Sequence, residues 1–255
     1  MSRPANPWWK RVQRQWRQWR GFEQTKTHQV DWVIKAGQKA KRVTFQTKRE
    51  ADTVTHALET LAPLGCFPKL IAHQDQCVWV SFVPAQPISD DPSDLISAFF
   101  QKLYGHQVGK VVDEVSSDTV LEAFESNLDT LRASRYFNED FLNQLALHCH
   151  RSRPETVCVG FDYVDAIPKN FVMSQGQAIG IDIDAIEANV LLGKGLAKAE
   201  YRSLMNASAH LAAFDTRLVK QYPFVRLCFA AEYFCQKLAQ GKKRHINPSV
   251  IKAWF

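Results

Sequence analysis

The sequence predicts an α+β fold of two lobes, a small antiparallel-sheet lobe followed by a larger helical lobe, with an N-terminal amphipathic helix ahead of both. Three observations carry this expectation. Strand-like apolar segments with one helical stretch among them fill residues 28–83. From Pro92 onward helical periodicity dominates, interrupted once by short strands. Between the two, the character of the chain changes near Pro84–Pro92. The predicted units are a basic Trp-rich arm over 1–22, a β-rich lobe over 23–90 and a helical lobe over 91–255.

Composition agrees with a globular protein. The chain has 255 residues, 45% hydrophobic and 23% charged, with 11 Gly and 11 Pro. That is enough chain to bury a core and excludes collagen-like or disordered classes. No apolar run approaches the roughly 18 residues of a membrane-spanning helix. Met1-Ser2-Arg3-Pro4 is not followed by the apolar stretch of a signal peptide. With six scattered cysteines and no C-x-x-C pair, the expectation is a cytoplasmic protein with reduced thiols. Cys149 between His148 and His150 lacks a second cluster at ligand spacing and does not make a zinc site.

The charge is localised. Lys+Arg minus Asp+Glu is 32 − 26 = +6. Residues 1–22 carry six basic side chains (Arg3, Lys10, Arg11, Arg14, Arg17, Arg20) and no acid, so the remainder is neutral. Trp8, Val12, Trp16 and Trp19 form an apolar stripe at helical spacing on this arm. A basic helix with a Trp-rich face fits peripheral binding at a membrane surface. Packing of the stripe on the protein's own body explains it equally well. Nucleic-acid binding ranks third, because the body is neutral and shows no nucleic-acid-binding fold.

In order along the chain, residues 30–34 and 42–47 read as strands around a turn at Gly37-Gln38. A helix follows from Lys48 to Leu61, with Val54, Leu58 and Leu61 on one face. Residues 69–72 and 77–83 read as a second hairpin. Helices are predicted over 94–104, 118–132, 139–150, 198–216 and 222–240, with a hairpin of short strands over 157–184.

That interruption holds the densest chemical signal. Asp165 precedes Asn170 by five residues through a Pro-containing loop. An apolar strand follows, then a turn at Ser174-Gln175-Gly176-Gln177, then a second apolar strand leading to Asp182 and Asp184. Folded as a hairpin, the segment brings Asn170 and Asp182 to one end with Asp165 beside them. Phosphoryl transfer from ATP needs such a set: a carboxylate to position the acceptor hydroxyl, and oxygen ligands for magnesium. Alternation puts Asp182 and Asp184 on one face, so either could be the metal ligand.

Asp165-x-x-x-Lys169-Asn170-Phe171 followed by Gly180-Ile181-Asp182 resembles the catalytic and magnesium-binding segments of the protein-kinase-like superfamily. The branch it is most similar to holds aminoglycoside phosphotransferases, choline kinases and lipopolysaccharide core kinases, whose loop also has Pro two residues before Asn. The resemblance extends more weakly over residues 28–216. It implies a bilobal protein-kinase-like fold, ATP and Mg as cofactors, Asp165 as catalytic residue, and Asn170 and Asp182 as metal ligands. By position it makes Glu50 the helix glutamate and places Ser81 and Val83 in the nucleotide-binding hinge. The chain departs from the pattern at Tyr163-Val164, where a His-Gly or His-Arg is usual, and has no glycine-rich phosphate loop. No lysine stands in a V-A-I-K context. Gln46 falls nearest that place, with Lys35, Lys41 and Lys48 as substitutes, and Lys48 is preferred as sharing a strand face with Gln46.

The resulting expectation is an ATP- and Mg-dependent phosphotransferase acting on a hydroxyl of a small molecule or sugar. If the arm lies on a membrane, the acceptor extends to a lipopolysaccharide core sugar. The alternative is a kinase-like binding module without catalysis (a pseudokinase), using the Trp/Arg arm to hold a partner or membrane. No motif reports acceptor identity or oligomeric state.

Overall fold

A computed structural model describes residues 28–84, 86–88, 91–108 and 112–255. The amphipathic helix expected over 1–22 lies outside the described residues.

Strands β1 (Gln29–Lys35) and β2 (Gln38–Thr44) form a hairpin. Its two turn residues, Ala36 and Gly37, have φ of 49° and 76°. A two-residue turn with both centres left-handed matches the twist of the strands it joins, and Gly37 adopts that geometry without strain. Helix α1 (Lys48–Leu61) starts in a reciprocal cap. The Thr47 side chain accepts from Glu50 N, and Glu50 Oε2 accepts from Thr47 N. The helix buries Val54, Leu58 and Leu61 against the sheet side of the core. Strands β3 (Leu70–Gln74) and β4 (Cys77–Ser81) complete a four-stranded antiparallel sheet of order β1-β2-β4-β3. The strand expected over 42–47 thus ends at Thr44, because the cap turns the chain out of the sheet at Thr47.

Beyond β5 (Gln86–Pro87) come α2 (Ser93–Gln107), β6 (Asp113–Ser116), α3 (Asp118–Ser134) and α4 (Glu139–Ser152). The segment expected as one hairpin over 157–184 divides between two sheets. Strand β7 (Thr156–Tyr163) pairs with β6 and with β10 (Ile186–Leu191), whereas β8 (Phe171–Ser174) and β9 (Gln177–Gly180) form a hairpin edged by β5. β7 is a nearly continuous apolar run whose residues are almost all buried, so it needs cover on both faces rather than one.

Helix α5 (Lys194–Tyr201) starts after Gly193, whose φ of 106° suits glycine alone. The single helix expected over 198–216 breaks there: Ser203 turns left-handed at φ 56°, and the chain restarts as α6 (Ala207–His210). Helix α7 (Thr216–Ala239) buries most of its side chains from Leu218 to Phe234 and is the axis of the helical region, packed by α3, α4 and α5. Helix α8 (Pro248–Lys252) closes the described chain, with Ile251 and Trp254 buried.

Candidate active site

The β8–β9 hairpin turns through Gln175 (φ 51°) and Gly176 (φ 75°), again a left-handed pair. Its register sets Phe171 opposite Gly180, and at the open end Ile181 N donates to Asn170 O at 2.9 Å. Asn170 and Asp182 therefore flank the same end of one hairpin. The Asn170 side chain is buried and its amide donates to the Asp165 carbonyl at 2.8 Å and to Asp165 Oδ2 at 3.1 Å. Asp165 is thereby aimed by the residue five positions on.

Tyr163 locks this geometry from below. Its hydroxyl donates to Asn170 O at 2.8 Å and accepts from Asp182 N at 3.2 Å. The ring is fully buried in an aromatic cluster with Phe67, Phe99 and Phe171. Tyr163, where the resembled motif usually has His, thus joins the loop of Asp165 to Asp182. Beneath it, the buried Asp162 carboxylate accepts from Tyr163 N, Tyr104 OH, Gly193 N and Gly195 N. This network ties β7 to the start of α5. Burial raises Asp162 to about 6, and those four donors pull against it.

From the small sheet, Lys41 on β2 reaches Asp182 Oδ1 at 3.2 Å and Ile181 O at 2.9 Å. His28 Nε2 stands 3.0 Å from Asp184 Oδ2. Burial, then the Asp184 carboxylate, push Asp182 upward against the pull of Lys41. The same burial acts on Asp184, yet His28, the Asp182 carboxyl and Lys41 hold it down at about 2. Asp184 Oδ1 is buried with no hydrogen-bond partner. Ligand atoms of His28, Asp182 and Asp184 lie within 4.8 Å of one another. A buried carboxylate oxygen left unpaired beside a second carboxylate offers the oxygen ligands that suit a hard divalent cation such as magnesium.

The sheet face that carries Lys41 also carries apolar side chains. Register pairs Trp32 with Lys41 and Ile34 with Lys39, and Phe82 N donates to Lys39 O at 3.2 Å. Trp32, Ile34 and Phe82 are exposed, and Lys39 Nζ lies over the Phe82 ring at 4.0 Å. On the other side of Asp165, Lys198 of α5 approaches Asp165 Oδ1 at 3.8 Å and lies over the Tyr233 ring of α7 at 4.0 Å.

The residues expected from sequence are thus partly assembled. Asn170 bonds Asp165, the Tyr163 hydroxyl ties Asn170 to Asp182, and Asp184 stands beside Asp182. Lys48 does not: it is exposed at the first position of α1, off the strand, and Lys41 reaches the acids instead. Glu50 is occupied in the helix cap, accepting from Gln46 N and Thr47 N at 3.1 Å each. It lines a cavity of about 470 Å³ together with His28 and Asp184. Ser81 Oγ accepts from Lys69 N at 2.9 Å, and Val83 is half-buried in the connector to β5. Sequence reading missed His28, Trp32 and Lys198. Only Lys198 left a signal, as a charge set among the small apolar residues Gly195-Leu196-Ala197 and Ala199.

No family model and no curated protein sequence matches the chain. Solved structures do. A macrolide 2'-phosphotransferase type I is similar with TM-score 0.58 at 11% identity, over 86% of this chain and 85% of its own. The choline kinase LicA of Streptococcus pneumoniae gives 0.57 at 14% identity, over 91% of each chain. A putative aminoglycoside phosphotransferase of Ralstonia eutropha gives 0.56 at 10%, over 96% and 97%. The fold is that of the protein-kinase-like superfamily, as the sequence motifs implied.

Proposed function

We propose that the chain is an ATP- and magnesium-dependent phosphotransferase that phosphorylates a hydroxyl group of a small molecule or sugar. The observation that carries this reading is that two side-chain pairs, Lys41 with Asp182 and Asn170 with Asp165, are set side by side by the backbone bond from Ile181 N to Asn170 O at the open end of the β8–β9 hairpin. Asp165 would orient the acceptor hydroxyl and take its proton. Asn170 and Asp182, with Asp184 adjacent, would hold magnesium, which neutralises charge on the bridged phosphates. Lys41 would release Asp182 and take up phosphate oxygens in a site where fixed charge does most of the work. The base would rest against Trp32 and Ile34 beside the Ser81–Val83 connector. With residues 1–22 on a membrane surface, a lipopolysaccharide core sugar falls within this acceptor class.

The test is thermal stabilisation by ATP with and without magnesium, on wild type and Asp182→Ala, followed by turnover against an acceptor screen. Nucleotide at about 100 times its dissociation constant adds roughly 2.7 kcal/mol. A magnesium-dependent shift lost in Asp182→Ala supports the site. Binding without turnover would leave a kinase-like binding module, and no shift at millimolar ATP would sink the proposal.

A further inference from the structure

Beside Asp165 the structure holds a cavity of about 170 Å³ between α5, α7 and β10. Its charged side chains sort into two groups. Lys194 is paired with Glu232 at 2.6 Å, a self-neutralising contact at one wall. Lys198 and Lys237 are less well compensated. Lys198 is 7% exposed, and the one carboxylate near it is Asp165 at 3.8 Å, which already accepts from Asn170. Lys237 lies over the same Tyr233 ring at 4.8 Å and meets only the neutral Gln240 Oε1 at 3.4 Å. Glu187, the remaining acid of the cavity, lies in the field of Lys194.

From this arrangement we infer that the acceptor is an anion, a polyhydroxylated molecule bearing a carboxylate or phosphate that Lys198 and Lys237 bind while Asp165 faces its hydroxyl. The inference rests on the phosphotransferase reading above and names the substrate class of that site. An ammonium held away from water demands a counter-charge, and two of them converging on one ring leave a place for it. A cationic acceptor would be repelled by the same pair. The titration of the two lysines agrees. Burial first, then repulsion from Lys237 and Arg202, lowers Lys198 to about 8, with Asp165 pulling the other way. Lys237 is lowered by burial first, then by Lys242 and Arg202, with Asp165 again pulling the other way. A bound anion relieves both.

The experiment is calorimetric titration of the full chain, loaded with magnesium and a non-hydrolysable ATP analogue, with four matched probes: glucuronate, glucose 6-phosphate, glucose and glucosamine. The expected result is that at least one anion binds about tenfold tighter than glucose, with glucosamine no tighter than glucose. That affinity should fall about tenfold, some 1.4 kcal/mol, in Lys237→Gln and in Lys198→Gln. Melting curves verify folding, and Lys237, half-buried where Lys198 is 7% exposed, keeps the test valid if Lys198→Gln fails to fold. Saturable binding of neither anion at millimolar concentration, glucosamine binding tighter than both anions, or anion affinity unchanged in Lys237→Gln would overturn the inference. Binding of the ATP analogue, titrated first on each preparation, separates the outcomes. If the analogue binds and the anions do not, only the acceptor class is wrong; if the analogue fails to bind, the phosphotransferase reading fails with it.

Discussion

Lys41 Nζ sits 3.2 Å from Asp182 Oδ1, an ion pair across 141 positions of sequence that joins the second strand of the small sheet to the end of the β8–β9 hairpin. The lysine side chain is largely buried and also holds the Ile181 carbonyl at 2.9 Å. In the proposed phosphotransferase this pair keeps both charges compensated until nucleotide and metal would divide them.

Lys41→Met is therefore expected to abolish the magnesium-dependent stabilisation by ATP and to lower phosphoryl transfer about 10²–10³-fold. Lys48→Met, at the exposed start of α1, should leave both at wild-type level. Parallel melting curves and single-turnover assays on the two variants decide between the lysines.

Tyr163→Phe removes one oxygen that bonds both Asn170 O and Asp182 N. Asn170 O keeps its bond from Ile181 N, but the Asp182 N–H loses its partner. A loss of about 1–3 kcal/mol in urea unfolding is expected. Metal-dependent nucleotide affinity should fall further than stability accounts for, because Asp182 is no longer aimed.

Asp162 sets a pH dependence. Its folded value of about 6 lies above the ordinary value of 3.8, because burial outweighs its four donors. Between those values the native state binds the extra proton. Stability therefore falls as pH rises from about 4 to about 6, by about 3 kcal/mol in total, and is flat above. Asp162→Asn should lack that slope. It should also be about 2–4 kcal/mol less stable at neutral pH, since an amide cannot accept from Gly193 and Gly195 on one side and Tyr104 and Tyr163 on the other. Chemical denaturation at stepped pH measures both.

Gly195 and Gly105 separate packing from propensity. A Cβ on Gly195 would stand 2.3 Å from the Tyr163 carbonyl oxygen and 2.7 Å from Asp162 Oδ1, whereas one on Gly105 meets nothing within 4 Å. Gly195→Ala should cost about 3 kcal/mol or more. Gly105→Ala, exposed in the last turn of α2, should be neutral or gain up to about 1 kcal/mol. A soluble, fully folded Gly195→Ala protein of wild-type stability would contradict the close approach of α5 to β7.

What was legible in the sequence was local. The strand–turn–strand with Gly176 and the five-residue step from Asp165 to Asn170 both act within a few residues, so periodicity and turn chemistry reveal them. That is why Asp165, Asn170 and Asp182 could be grouped before any fold was known. Lys48, preferred on strand register, lies instead in the first turn of α1, and Lys41 is the lysine that reaches Asp182, for a physical reason. Strand register counts residues from the end of a strand, and that end is set by the Thr47 cap, not by the alternation that seemed to run on to Thr47.

The sequence by itself determined the α+β order and the hairpin that presents Asn170 beside Asp182, because short-range hydrogen bonding and turn geometry need no distant partner. Only the tertiary structure decided which lysine faces Asp182, that β7 pairs with β10, and that Lys198 and Lys237 converge beside Asp165. Those relationships arise when buried apolar runs such as β7 and α7 choose their neighbours. The charges they carry are then placed by packing that no local pattern encodes.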